Sequence, residues 1–285
     1  MKLKAYAKLN LSLAITGTRP DGMHELDMLM QSISLADELT IRPAERTVLR
    51  CGGMAADESN TALRAARLFF EAAGRKGGAE ITLKKHIPAQ AGLGGGSSDA
   101  GAVLSALNRL YGMPLSMETM TALAVRIGAD VPFFLHGGCM RAQGIGERLA
   151  PVQNECKFSY LLVKPEGGVP TGPAYAKYHE LPAIMPDVGK AAKALARGDR
   201  AAYFAAAGNS LLPAGKALCP QVGAILREMK AYGADFSMMT GSGSCVFAVF
   251  SDAEKEAKAF AAFAERYPFC ARAADTDRAS MEETE

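Results

Sequence analysis

Four short stretches hold residue types whose spacing could do chemistry. The first is Pro88-Ala-Gln-Ala-Gly-Leu-Gly-Gly-Gly-Ser-Ser98, which follows a strand pattern and enters a helical one. Glycines at 92, 94, 95 and 96 remove Cβ atoms, so the backbone can approach an anion and point successive N–H groups at it. The helix that follows adds unpaired amides and the positive end of its dipole, and Ser97 and Ser98 add hydroxyls, a combination suited to phosphate. It is not a GxxxxGK(S/T) loop, which needs a lysine before its last hydroxyl. Nor is it GxGxxG, because Ser97 stands where the last glycine belongs. A bare glycine run reads equally well as a flexible linker; its strand and helix flanks favour phosphate.

The other three stretches are ordinary when taken singly. Asp130, in Gly128-Ala-Asp-Val-Pro-Phe-Phe134, reads as a cap for a short helix, since Asp favours caps and Pro the first turn. Lys8 and Asn10 share one face of an alternating segment, where a lone lysine is most often solvated. Thr240-Gly-Ser-Gly-Ser244 reads as a tight hairpin turn.

These residues must be positioned by the elements around them. Leu3, Ala5, Ala7, Leu9, Leu11, Leu13 and Ile15 alternate with Lys2, Lys4, Tyr6, Lys8, Asn10 and Ser12, which predicts a half-buried strand. After a turn over Thr18 to His24, further strands are expected at Asp37 to Ile41, Val48 to Cys51 and Glu80 to Leu83. Asn60 and Ser116 are suited to cap helices stopped by Gly74 and Gly128. Apolar spacing from Ala100 to Tyr111 predicts the helix beyond the glycine loop, from Ser98 to Gly112. A turn-rich stretch over 143–157 suggests a boundary dividing the chain into 1–150 and 151–285. The second part reads as a strand at Phe158 to Val163, then helices over Gly172 to Leu212 broken at Pro182, Pro186 and Gly198. A helix over Gln221 to Tyr232, a hairpin at Ser237 to Phe250, a helix opened by a Ser251/Glu254 capping box and a strand at Phe269 to Arg272 follow. That order is a split βαβ, ferredoxin-like unit. An acidic end, Met281 to Glu285, is expected to fray.

Composition narrows the function classes. At 285 residues, 49% apolar and 22% charged, the chain reads as globular, with roughly two domains. Thirty-two basic against thirty acidic residues give no reason to expect nucleic acid as partner. Six scattered cysteines without a CxxC pair read as reduced thiols. The alternating N-terminus does not resemble a signal peptide, and no apolar run approaches a membrane span, so no membrane partner is expected and the cytoplasm is the expected compartment.

In order along the chain, a strand lysine, a central GLGGGSS, a later Asp and a C-terminal TGSG turn resemble the GHMP kinase superfamily. The segments AKLNLSLAITGTRPDGMHELDM, GLGGGSSDAG, IGADVPFF and TGSGSCVF are similar to its branch acting on a cytidine diphosphate-linked polyol of non-mevalonate isoprenoid synthesis. The resemblance spans nearly the whole chain. It implies an α+β fold, the GHMP kinase fold, with an N-terminal domain like domain 2 of ribosomal protein S5 and a ferredoxin-like C-terminal domain. It further implies ATP and Mg²⁺, and a 2-hydroxyl group as phosphoryl acceptor. Lys8 and Asp130 match the family's catalytic pair. Pro88, Ala89, Gln90, Ala91, Gly92, Leu93, Gly94, Gly95, Gly96, Ser97 and Ser98 match its phosphate loop. Asn60 and Lys85 match positions near the nucleotide, and Asn10, His24, Thr171 and Tyr175 positions around the acceptor. Mg²⁺ is expected mainly on nucleotide oxygens, with Ser98 the one protein oxygen considered. Met23 stands where the family commonly has an aromatic ring beside His24. A homoserine- or mevalonate-type kinase and a catalytically silent nucleotide sensor are the alternatives; an ADP-release assay across candidate alcohols discriminates among them.

Overall fold

Strand β1 (Lys2–Thr18) and strand β2 (His24–Ala44) pair antiparallel along almost their whole length, from Lys2 opposite Thr40 to Thr18 opposite His24. The computed structural model describes residues 1–52, 57 and 59–282. β2 is far longer than the expected Asp37 to Ile41. The register shift between Tyr6 and Ala7 leaves Ser34 and Leu35 of β2 between the paired Ile33 and Ala36 and interrupts its alternation, while the shifts at Asn10/Ser12 and Ile15/Gly17 insert residues in β1. Its first part pairs with β5 (Cys139–Gly144), which pairs with β6 (Arg148–Pro151). Its last part pairs with β4 (Gly78–Lys84), and β3 (Val48–Cys51) lies parallel to β4.

Three helices cover this sheet. Helix α1 (Thr61–Ala73) starts where Asn60 accepts from the Ala62 N–H and stops at left-handed Gly74; α3 (Met117–Ile127) starts at Ser116, which accepts from Thr119. Both ends were legible because cap chemistry is local. Helix α2 (Gly95–Leu110) begins three residues before the expected Ser98, after Gly94 at φ 73°. Phe69, Val103, Leu104 and Leu107 pack between these helices and Ile81 of the sheet.

The second sheet has the order β10 (Phe269–Ala274), β7 (Ser159–Lys164), β9 (Val246–Val249), β8 (Phe236–Met239), with every pairing antiparallel. That is the order a ferredoxin-like unit requires. Helices α9 (Pro220–Ala231) and α10 (Ala253–Arg266) bury Ile225, Met229 and Phe263 against it. The cap of α10 is Asp252, which accepts from Glu254 and Lys255, and not Ser251, whose own N–H donates to Asp235. Between β7 and α9 run α5 (Thr171–Tyr178), α6 (Val188–Ala196), α7 (Arg200–Ala206) and α8 (Leu212–Leu218). The last of these was not anticipated beyond Leu212.

β1 joins the two sheets. Leu3 and Ala5 lie in the core under α1 and α2, while Ala7, Leu9 and Leu11 share a core with Leu162 and Phe247 of the second sheet. The Leu13 N–H donates to the Gly208 carbonyl at 2.9 Å and the Ser210 N–H to the Leu13 carbonyl at 2.8 Å. Consequently the parity expected to face water is also buried: Lys8, Asn10 and Ser12 are all at most 3% exposed. β11 (Ser280–Glu282) returns to the first sheet and pairs with Leu3 to Ala5 of β1. Met281 and Glu282 are therefore sheet residues and not a frayed end; 283–285 lie outside the described residues. All six cysteines are free, and no helix among the described residues is long and apolar enough to cross a membrane.

Candidate active site

The glycine loop leaves β4 at Lys84, crosses beneath the second sheet and enters α2. Its carbonyls are taken from behind. Those of Gln90 and Ala91 accept the N–H groups of Ser244 and Cys245, that of Gly92 accepts the Thr240 hydroxyl at 3.2 Å, and that of Leu93 accepts the Lys8 N–H at 3.0 Å. In a trans peptide the following N–H points opposite to the carbonyl, so the amides from Ala91 to Gly94 face away from these partners. Gly92 has φ 73°, and a Cβ there would stand 2.0 Å from the Thr240 carbonyl oxygen. The TGSG segment is the hairpin turn its sequence suggests, and it is also the clamp that seats the loop.

Lys8 is 3% exposed; its ammonium donates to Asn10 Oδ1 and lies 3.6 Å from Asp130 Oδ2. Burial pushes its pKa below the ordinary lysine value, and the Asp130 carboxylate partly opposes this. Asp130 caps nothing. The short helix α4 (Phe133–His136) has Pro132 at its cap position, without a side-chain bond. Phe134 packs so closely on α2 that a Cβ on Gly101 would lie 2.7 Å from it, which fixes the turn bearing Asp130 relative to the loop.

At one end of the same cleft, Lys85 pairs with two carboxylates, Asp37 and, at 2.6 Å, Asp99. Asn60, the α1 cap, lines the same cleft. At the other end His24, the first residue of β2, stacks on Tyr175 of α5 with centroids 4.7 Å apart and meets His179 through Nε2 atoms 2.9 Å apart. Burial first, then the charge of His179, lowers the His24 pKa. The Thr171 hydroxyl lies 3.5 Å from that of Ser242 in the TGSG turn. Met23 is 47% exposed at the rim.

One cleft of about 1320 Å³ brings together Lys8, Asn10, His24, Asn60, Lys85, the loop from Pro88 to Ser97, Asp130, Thr171 and Tyr175. Ser98 is the exception. Its hydroxyl donates to the Tyr6 carbonyl at 2.6 Å and is 1% exposed, so it ties α2 to β1 within the core instead of facing the cleft. Sequence reasoning passed over Asp37, Asp99 and His179. Asp99 directly follows the doubled serine, and an acid near the N-terminus of a phosphate-directed helix was a readable signal; Asp37 and His179 offered none.

The loop can be tested without disturbing its seat. A side chain on Gly92 or Gly94 would strike Thr240 or Phe134, and one on Gly95 would press on Ile87 at 3.0 Å, whereas Gly96 meets only the Thr61 hydroxyl at 3.2 Å. Gly96→Val is expected to weaken a non-hydrolysable ATP analogue by about tenfold or more in calorimetry, because a branch there blocks backbone approach, while the melting temperature holds. Unchanged affinity removes the loop from the nucleotide site.

Comparison with known proteins gives a consistent picture. Residues 60–138 match the family model "GHMP kinases N terminal domain", and 191–268 match "GHMP kinases C terminal". The 4-diphosphocytidyl-2-C-methyl-D-erythritol kinase of Desulfitobacterium hafniense is 40% identical over 269 residues, 93% of this chain and 92% of that protein. That of Symbiobacterium thermophilum is 41% identical over 259 residues, 89% and 92% of the two chains. A crystal structure of 4-(cytidine 5'-diphospho)-2C-methyl-D-erythritol kinase, 36% identical, superposes with a TM-score of 0.81 over 96% of this chain and 99% of the other. The homoserine kinase of Cytophaga hutchinsonii, 20% identical with a TM-score of 0.77 over 99% and 96% of the two chains, shares the fold.

Proposed function

Since the chain belongs to the 4-diphosphocytidyl-2-C-methyl-D-erythritol kinases of the GHMP superfamily, we propose that it transfers the γ-phosphoryl group of ATP to the 2-hydroxyl of that cytidine-linked polyol. The observation that carries this reading is the Lys8–Asp130 pair, 3.6 Å apart, set between the phosphate-directed loop and the His24/Tyr175 end of one cleft.

The chemistry is a displacement at phosphorus. The acceptor oxygen forms a bond to the γ-phosphorus as the bond to the β,γ-bridging oxygen breaks, and ADP leaves. Such a step needs alignment and charge relief more than covalent help. Asp130, partly exposed and beside Lys8, accepts the hydroxyl proton and orients the attacking oxygen. Lys8, buried and held by Asn10, places fixed positive charge where the transferring group becomes more anionic, and the loop amides and α2 N-terminus do the same for the nucleotide phosphates. Among the described residues no group of three His, Cys, Asp or Glu side chains could hold a metal, and Ser98 is turned away. The donor set therefore offers Mg²⁺ no protein cage; the ion fits as part of the nucleotide complex, where it would neutralise phosphate charge.

In this reading the acceptor's base lies against His24 and Tyr175, whose rings are 4.7 Å apart in the cleft. Met23 supplies a flexible, polarizable contact in place of a second ring, so Tyr175 provides most of the stacking. Tyr175→Ala is expected to raise KM for the cytidine substrate by an amount equivalent to roughly 1–3 kcal/mol, with ATP affinity unchanged, and Met23→Tyr in that background is expected to recover part of it. A fall in melting temperature with KM unchanged would make Tyr175 a packing residue of α5.

The reading as a whole is tested by ADP release. The cytidine-linked polyol is expected to stimulate ATP consumption, and homoserine and mevalonate are not. Stimulation by either of the latter alone would move the protein to another GHMP activity, and nucleotide binding without stimulated turnover would make it a sensor.

A further inference from the structure

The cleft wall contains a buried charge cluster that the phosphoryl transfer just described does not use. Asp37 sits in the middle of β2 with no solvent exposure, a costly place for a carboxylate unless its oxygens are satisfied. They are satisfied by three consecutive residues. Oδ1 accepts the backbone N–H groups of His86 at 2.6 Å and Ile87 at 2.8 Å, and Oδ2 accepts the Lys85 ammonium. These three residues are where the chain leaves β4 and turns into the glycine loop. Asp99, in the second turn of α2, takes the same ammonium from the other side through Oδ2, while its buried Oδ1 has no hydrogen-bond partner. Lys85 therefore bridges the sheet and the helix. A Cβ on Gly95, at the head of α2, would stand 3.3 Å from its Nζ.

A free lysine has four rotatable carbons and a strongly hydrated head, and holding it at one point costs rotamer entropy. Here that point is beside the first turn of α2, and two carboxylates fix it there from separate elements. We propose that Asp37 and Asp99 are positioning residues for the nucleotide end of the cleft, holding Lys85 against the entrance of the phosphate loop so that its charge meets the bound polyphosphate without rearrangement. The inference rests on reading the loop as the ATP phosphate site. Its electrostatics agree with the geometry. Two carboxylates share one ammonium, with the Cys51 thiol also facing them, and burial first, then the neighbouring Asp37, pushes Asp99 up to about 7 while Lys85 and its hydrogen bonds oppose this. Lys85 itself is held above its ordinary value, the two carboxylates outweighing burial. The ammonium stays charged.

The test is a mutant cycle read by binding and kinetics. Asp99→Asn keeps the shape but removes one anchor. It is expected to weaken a non-hydrolysable ATP analogue, and raise KM for ATP, by roughly tenfold, with far smaller changes in kcat and in the KM of the acceptor. Asp37→Asn keeps a carbonyl for the His86 and Ile87 amides but sets an NH2 group against Lys85, and is expected to act in the same direction. In a Lys85→Met background, Asp99→Asn is expected to add nothing further to the loss of affinity, because the residue it positions is gone. Equal losses with and without Lys85, or a lowered melting temperature with nucleotide affinity intact, would reduce the cluster to a structural brace and overturn the proposal. Failure of the wild-type protein to bind the analogue would instead overturn the loop reading, and this proposal with it.

Discussion

Asp130→Asn is expected to fold, to bind ATP and to lose about 10²–10⁴-fold in kcat, the usual range for removing a positioned proton acceptor. The structure makes this substitution clean. Asp130 caps no helix, so the amide breaks no secondary structure, and its side chain, 34% exposed, has room for the exchange. What disappears is the charge facing Lys8 and the acceptor for the hydroxyl proton. A second readout comes from pH. Lys8 must be protonated to stabilise the transferring group, so the rate falls as pH rises through its pKa, which burial has already lowered and Asp130 partly restores. With the carboxylate gone, the alkaline limb of the residual activity is expected to move to lower pH. A variant with near-normal kcat would leave Asp130 only a counter-ion to Lys8.

Lys8→Met is expected to cost about 10²–10³-fold in kcat, as for loss of one preorganised donor to a developing anion. Met fills nearly the same volume along β1, and among the described residues the buried ammonium it replaces is held by Asn10 and Asp130. Burying that charge is a cost to the fold, so the melting temperature is expected to stay level or rise while activity falls, a trade that marks a residue kept for function. Combined with Asp130→Asn the losses should be far less than additive, because the two act on one step. A large drop in melting temperature with kcat preserved would assign Lys8 to packing.

What the sequence disclosed follows the range of the interactions involved. The ends of α1 and α3 were readable because a cap is a contact between residues two or three apart. The order of the second sheet followed from the succession of strands and helices. The length of β2 was hidden in part because the irregularity at Ser34 and Leu35 breaks the alternation that announces a strand. The loop and Asp130 could be placed by motif, but no local pattern discloses that the face bearing Lys8 and Asn10 is covered by the loop and the TGSG turn. Asp37 was equally silent, since an acid in a strand reads as a solvated face until the amides of residues 86 and 87, about fifty positions away, are seen to bond to it. Ser98 shows the opposite failure, a motif residue whose hydroxyl serves the core.

The return of β11 to β1 bears on how the chain is made. β1 has part of its edge filled by a strand made far later, with Tyr6 and Met281 in contact across 275 positions. Until residues 280–282 are synthesised, that edge presents unpaired amides and carbonyls, a template for pairing with other nascent chains. Lys2, exposed, and Lys4, half-buried, lie on this stretch, and strand lysines of this kind discourage edge-to-edge association. Closing the sheet must then await translation of the ferredoxin-like unit, and contacts of such separation slow the search for the native state. Completion of the first sheet, and with it the final seating of β1 beneath the cleft, comes only after the second sheet's strands have been made.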